Sequence, residues 1–169
     1  VSLIGWEGST SERQVLLDTF VKVPERITDF RTWVSGVRAK NINADTAMEL
    51  HACRNMVGKL LKGKILIGHS LSNDLKALML DHPRRDVRDT ARYGPYMRAR
   101  TVGGRLQSRK LKDLAEEMLG LKIQQVGKSH SSIDDAGAAM ELYKVVREDW
   151  EKELAFKLGK KAGKSRKPV

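Results

Sequence analysis

The run Ile65-Leu66-Ile67-Gly68 has no polar side chain and leads directly into His69-Ser70-Leu71-Ser72-Asn73-Asp74. A short, fully apolar run of this kind reads as a buried strand. The pattern after it predicts a helix over 73–80, stopped ahead of Pro83. A buried strand feeding a helix restricts the chain to folds that layer strands against helices. It also puts Asp74 just beyond the strand's C-terminal end, where α/β folds hold ligands. An acid there equally suits the positive end of a helix dipole, so position alone leaves both roles open.

The flanking sequence fits the same class. Val1–Ile4 and Val15–Val23 are rich in β-branched and apolar residues and read as a hairpin around Gly5–Ser11, closed by Pro24. Val1-Ser2-Leu3-Ile4 reads as the middle of a strand, as if cut from something longer. Residues 25–42 show no period and are expected to form a long loop. Apolar residues recur at helical spacing over 45–61, where Gly63 ends the run. Val87-Arg88-Asp89-Thr90 reads as a short strand and 91–109 as a loop. Leu111, Leu114, Met118 and Leu119 form a helical stripe ending at Gly120. A last helix is expected over 133–156, with Ala136, Met140, Tyr143, Val146 and Trp150 on one face. The expected architecture is α/β with a mixed sheet flanked by helices, as one domain over 1–156 and a basic disordered tail over 157–169.

Charge narrows the partners. The formal net charge is +11 over 169 residues. The tail holds Lys157, Lys160, Lys161, Lys164, Arg166 and Lys167 and no acid. A second basic stretch runs from Arg84 to Lys110, with nine Lys and Arg against Asp86 and Asp89. Polyanion binding is the natural reading of both, and Arg98, Arg100, Arg105, Arg109 and Lys110 are the candidate nucleic-acid contacts. A solvated surface that keeps the chain soluble accounts for the tail equally well. Cys53 is the only cysteine, so a disulfide within the chain is excluded. His51, His69, His82 and His130 have no zinc-finger spacing with it. No apolar run reaches the ~20 residues of a membrane span, and no membrane partner is expected.

A second motif matches the first. His130-Ser131-Ser132-Ile133-Asp134-Asp135-Ala136 opens the last helix, with two acids and a histidine just upstream. Ser131 or Ser132 can cap that helix and either acid can complete a capping box. Adjacent helical residues do not share a face, so one acid can cap while the other points elsewhere. By pattern alone Asp135 lies near the apolar stripe and Asp134 nearer the surface. Two separated acids and a histidine are the components of metal-dependent phosphodiester hydrolysis. The segment Gly58-Lys59-Leu60-Leu61-Lys62-Gly63-Lys64 imitates a phosphate-binding loop but ends in Ile65 and sits between a helix and a following strand. That loop needs the opposite order, so an NTPase is rejected.

Taken in order, Gly68-His69-x4-Asp74, Val87-Arg88-Asp89-Thr90 and His130-x4-Asp135-Ala136 resemble the DEDDh 3′→5′ exonucleases, whose fold is RNase H-like. Thr28 to Gly36, Ile65 to His69, Leu80 to Pro83 and Leu111 to Leu121 bring the resemblance nearer to the RNA exonuclease 4 branch, which processes rRNA. The resemblance runs through about Trp150. It implies that Asp74 is the third acid of the family's four, Asp135 the fourth and His130 the general base. It implies Mg²⁺ or Mn²⁺, two ions in the complete site, and RNA, specifically pre-rRNA, as substrate. Proteins of pre-ribosomal particles would be neighbours, and the nucleus and nucleolus the location.

The family's first two acids form an Asp-x-Glu on a strand ahead of a segment like Val1–Ile4, and no Asp-x-Glu stands at that place here. Glu7, in the hairpin turn, and Asp18, in a later strand, are no substitutes. The chain as it stands is therefore expected to be nearly inactive. A non-catalytic assembly factor that binds pre-ribosomal RNA is the alternative, and a DNA exonuclease a weaker one. Retention of Asp74, His130 and Asp135 favours the enzyme.

Overall fold

Apolar residues facing one way on two short strands start the fold. The computed structural model describes residues 1–8, 13–99, 104–124 and 131–164. Strand β1 (Ser2–Gly5) pairs antiparallel with β2 (Gln14–Asp18), Leu3 lying opposite Leu17, with an irregularity between Leu3 and Ile4. The expected second strand is broken after Asp18. Its continuation β3 (Val21–Lys22) turns to pair in parallel with β4 (Met48–Glu49). Residues 25–42 are not a plain loop. They hold two single-turn helices, α1 (Thr32–Ser35) and α2 (Ala39–Ile42), too short to set a period.

Helix α3 (Leu50–Leu61) begins later than the sequence predicts, because the Met48 N–H donates to Phe20 O at 2.8 Å in the β3–β4 ladder. Strand β5 (Leu66–Gly68) is buried as expected and runs parallel to β6 (Val87–Asp89), with Gly68 beside Asp89. Between them lies α4 (Leu71–Ala77), displaced by a few residues from the expected 73–80. The loop expected over 91–109 contains single 3-10 turns at Thr90–Arg92 and Gly94–Tyr96 and a small hairpin, β7 (Arg98–Ala99) with β8 (Leu106–Gln107). Helix α5 (Leu111–Leu119) stops at Gly120, whose φ of 66° is the left-handed value that glycine adopts freely.

The long helix α6 (Ser132–Lys164) starts where expected but runs on past Phe156. The expected change from folded domain to free tail at Lys157 thus falls inside a helix. Leu, Ala and Lys favour helix here, and Lys157 pairs with Glu153 one turn back. Residues 165–169 lie outside the described residues. Among those described, no helix is long and apolar enough to cross a membrane.

Two apolar clusters hold these elements. One joins α5 and α6 through fully buried Leu114 and Leu142, with Tyr93 stacked on Trp150 at 4.2 Å and Tyr96 donating to Leu142 O. The other joins α3, β5 and α4 around Cys53, Val57, Leu66 and Leu71. Among the described residues the strands form four pairs, parallel and antiparallel, instead of one continuous sheet. Among the described residues β1 pairs only with β2 and β5 only with β6, while α6 packs across both β1 and β5.

Candidate active site

A groove of about 870 Å³ lies between β1 and β5. Its floor is apolar, from Leu3, Leu50, Val57, Leu61 and Leu66, and its polar rim includes Asp74, Asp135, Arg109 and Lys110. The structure thus brings both candidate carboxylates, and two of the candidate cationic residues, to one cleft.

Local chemistry fixes each acid. Gly68 ends β5 so close to α4 that a Cβ there would stand 2.4 Å from Leu71 Cδ2. Ser70, at φ 65°, turns the chain sharply into the helix, and Asp74 follows within its first turn. Asp74 is exposed toward the groove. Even so, the groove walls withdraw enough water to raise its carboxyl pKa, and the negative charge of Asp89 adds to the rise.

Asp135 sits one turn into α6, half-buried, and accepts a hydrogen bond from Gln124 Nε2 at 2.9 Å. Ser131 caps the helix, its Oγ accepting the Asp134 N–H at 3.2 Å. Asp134 itself is exposed, and it is Asp135 that lines the groove. The helix start is tied to β1: Ser2 Oγ donates to Asp18 Oδ1 at 2.6 Å, so the 2.6 Å contact with Ser132 Oγ must be donated by Ser132. Asp18 is thereby a structural acceptor.

His69 also lines the groove, yet both ring nitrogens are committed. Nε2 lies 3.0 Å from Arg109 O, and a carbonyl only accepts, so Nε2 carries a proton. Nδ1 lies 2.9 Å from Thr90 Oγ1, whose proton is also within reach of Gly68 O at 3.0 Å. Burial pushes the imidazole pKa below its ordinary value. A ring bonded at both ends is poorly placed to take a proton from water. His130, the residue the motif nominates as base, lies outside the described residues, as does Arg100.

The remaining cationic candidates divide. Arg98, Arg105 and Lys110 are exposed. The Arg109 guanidinium is paired with Glu117 of α5, at 3.1 Å from Nη1 to Oε1 and closer still through Nη2, and its side chain is 15% exposed. Its contribution at the groove is the carbonyl that holds His69. Sequence reasoning missed this tie, and also Gln124 and the role of Asp89. Asp89 stood inside a quoted motif, but only the β5–β6 register shows what its carboxylate meets.

Carboxylate oxygens suit Mg²⁺ or Mn²⁺. Among the described residues, no three His, Cys, Asp or Glu side chains converge to hold an ion. Asp74 and Asp135 alone therefore do not make a two-ion site.

A family model described as Exonuclease (RNase T) matches residues 6–143. RNA exonuclease 4 of Mus musculus is 45% identical over 138 residues, 82% of this chain and 30% of that protein. RNA exonuclease 4 of Kluyveromyces lactis is 44% identical over 153 residues, 90% of this chain and 48% of that protein. The chain thus spans less than half the length of either. Among solved structures, the Saccharomyces cerevisiae Pan2 pseudoubiquitin hydrolase-RNA exonuclease module in complex with AAGGAA RNA superposes with a TM-score of 0.71 at 26% identity, over 99% of this chain and 28% of that one. The Neurospora crassa Pan2 catalytic unit, with protease and nuclease domains, gives 0.69 at 23% identity over 99% of this chain and 27% of that one, a likeness of fold. The expected RNase H-like α/β fold holds.

Proposed function

Because this chain belongs to the Exonuclease (RNase T) family, we propose that it is the nuclease portion of a 3′→5′ RNA exonuclease acting in pre-rRNA processing. The observation that carries this reading is the shared groove: Asp74 and Asp135 stand on its rim, with Lys110 and the Arg109 backbone beside them. The names of the relatives and the RNA-bound neighbour support RNA as the polymer.

The groove also suggests where further acids would come from. β1 and β5 each lack a second strand partner among the described residues, and apolar side chains line the space between them. An extended strand carrying Asp-x-Glu would satisfy both strand edges and bury its own apolar residues on that floor. Its acids would then join Asp74 and Asp135. Bound Mg²⁺ or Mn²⁺ would polarise a water and offset charge on the leaving oxygen. His130 would take the proton of the attacking water, as the family motif implies. Lys110 would hold a backbone phosphate. Without that strand the chain would be nearly inactive. The nucleolus would be the place of action and pre-ribosomal proteins the neighbours, with the basic C-terminal residues as a further RNA contact.

The test is Mn²⁺-dependent shortening of 5′-labelled single-stranded RNA. It compares this chain, a form extended upstream through an Asp-x-Glu strand, and that form with Asp74→Ala. A ladder from the 3′ end by the extended form alone supports the enzyme. RNA binding without shortening by every form gives the non-catalytic assembly factor instead.

A further inference from the structure

Asp89 is a buried carboxylate, 7% exposed, that the proposed chemistry does not use. It ends β6, beside Gly68 of β5. Its Oδ1 accepts two backbone N–H groups, from Ser70 at 2.7 Å and from Ala91 at 3.1 Å. Oδ2 stands 3.9 Å from Arg92 Nε. A carboxylate taken out of water needs such donors, and two backbone amides on one oxygen are a strong, directional arrangement.

Ser70 is the residue that needs holding. Its backbone, at φ 65° and ψ 36°, lies in the left-handed region, which crowds the Cβ of any residue but glycine. Its own side chain makes no capping bond to α4. The chain turns from β5 into α4 within His69 and Ser70, and Asp74 lies in the next turn. A change at Ser70 therefore rotates the helix and moves Asp74 relative to the groove. The residue just after β6 grips the other half of the turn, Thr90 Oγ1 meeting His69 Nδ1 at 2.9 Å.

We propose that Asp89 is a positioning residue for Asp74: by accepting the Ser70 N–H it keeps the left-handed turn closed and sets the direction in which α4 presents Asp74 to the groove. The catalytic consequence rests on the exonuclease reading above; the grip on Ser70 does not. Two features of Asp89, its acceptor oxygen and its charge, are separable. Asn at this position keeps an oxygen with two lone pairs and removes the charge. Glycine at position 70 adopts the left-handed backbone without help.

Four proteins decide it, all in the form extended through the Asp-x-Glu strand: wild type, Asp89→Ala, Asp89→Asn, and Asp89→Ala combined with Ser70→Gly. Amide hydrogen exchange at Ser70 and along α4 reads the grip directly. RNA-shortening kinetics with saturating Mn²⁺ read its consequence. Asp89→Ala is expected to speed exchange at Ser70 and to lower kcat by about 10- to 100-fold with KM within about twofold, since a small misplacement of a reacting group costs this much. Asp89→Asn should keep the slow exchange and stay within about threefold of wild type in kcat, and Ser70→Gly should restore about tenfold to the Asp89→Ala protein. The proposal is overturned if Asp89→Asn is as impaired as Asp89→Ala, if Ser70→Gly restores nothing, or if KM rises while kcat holds. If wild type shortens no RNA, the exonuclease reading fails, and the exchange measurements still decide the grip: equal exchange at Ser70 in wild type and Asp89→Ala overturns it. Should Asp89→Ala not fold, failure of Ser70→Gly to restore folding overturns it too.

Discussion

Arg88 of β6 and Glu151 of α6 meet across the domain in a two-point ion pair, Nε to Oε1 at 2.6 Å and Nη2 to Oε2 at 2.7 Å. Tyr143 donates to the same Oε1 at 2.8 Å. The arginine side chain is 6% exposed and the glutamate 35%. Removing one partner of a buried pair strands the other without water. Glu151→Gln is therefore expected to destabilise the fold at pH 7 by about 2 kcal/mol, less than for a fully buried pair because the glutamate side is partly hydrated. Arg88, and then Tyr143, hold the Glu151 carboxyl below its ordinary value of 4.5. A depressed carboxylate contributes stability that is full above the unfolded value and is lost as pH falls through the folded one. Urea unfolding of both proteins should show the gap at neutral pH and its progressive closure as acid carries the pH below 4.5 and through the lowered folded value. A gap that stays constant with acid would mean shape alone matters at this site.

Gly68 and Leu71 leave no room for a side chain between β5 and α4. A Cβ on residue 68 would fall 2.4 Å from Leu71 Cδ2 and 2.9 Å from Cγ. Gly68→Ala is expected to cost about 1–3 kcal/mol, as overpacking does in a tight core. Trimming Leu71 to Ala in the same protein should recover part of that loss, because the clash disappears while a buried leucine is lost. Thermal unfolding of the single and double variants tests this, and strictly additive losses would exclude the contact as the cause.

Met79 closes α4 in a conformation glycine usually takes. Its φ is 51°, its N–H donates to Lys76 O at 3.1 Å, and the next N–H, of Leu80, donates to Leu75 O at 2.9 Å. This is the double hydrogen bond of a Schellman end. The side chain is 62% exposed, so little packing is lost when it is removed. Met79→Gly should stabilise the domain by about 0.5–1 kcal/mol, a rise in Tm of about 2–4 °C at most. A fall in Tm would mean that Met79 packs more than its exposure indicates.

The left-handed residues Ser70 and Met79 also explain what the sequence concealed. Gly120 announces the end of α5 because glycine is the ordinary residue for that backbone, and the end was legible. Ser70 and Met79 bracket α4 with the same backbone and no glycine, so both helix ends were misread by two or three residues. The apolar run of β5 and the stripe of α6 were legible because burial imposes them. Residues 32–42 were not, since single-turn helices are fixed by local bonds such as Arg38 N–H to Asn41 Oδ1 at 2.9 Å. At the site, spacing in sequence picked out Asp74 and Asp135 together. It could not show which cations are free to meet RNA, because that depends on partners eight or more residues away.

Arg109 and its exposed neighbours should consequently behave differently toward RNA. Its guanidinium is held by Glu117, whereas Arg98 and Arg105 lie open on β7 and beside β8. Contacts between a cation and a phosphate release counterions, so each one lost lowers the dependence of log K on log salt by about 0.7 for a single strand. Arg98→Ala and Arg105→Ala, if each holds one phosphate, should each weaken single-stranded RNA binding and reduce the slope by about that much. Arg109→Ala should leave the slope nearly unchanged and lower Tm instead, because it frees Glu117 and removes a largely buried side chain. Fluorescence anisotropy with labelled RNA across a salt series separates the two. A slope reduced by Arg109→Ala as much as by Arg98→Ala would show that the Glu117 pair opens to admit a phosphate.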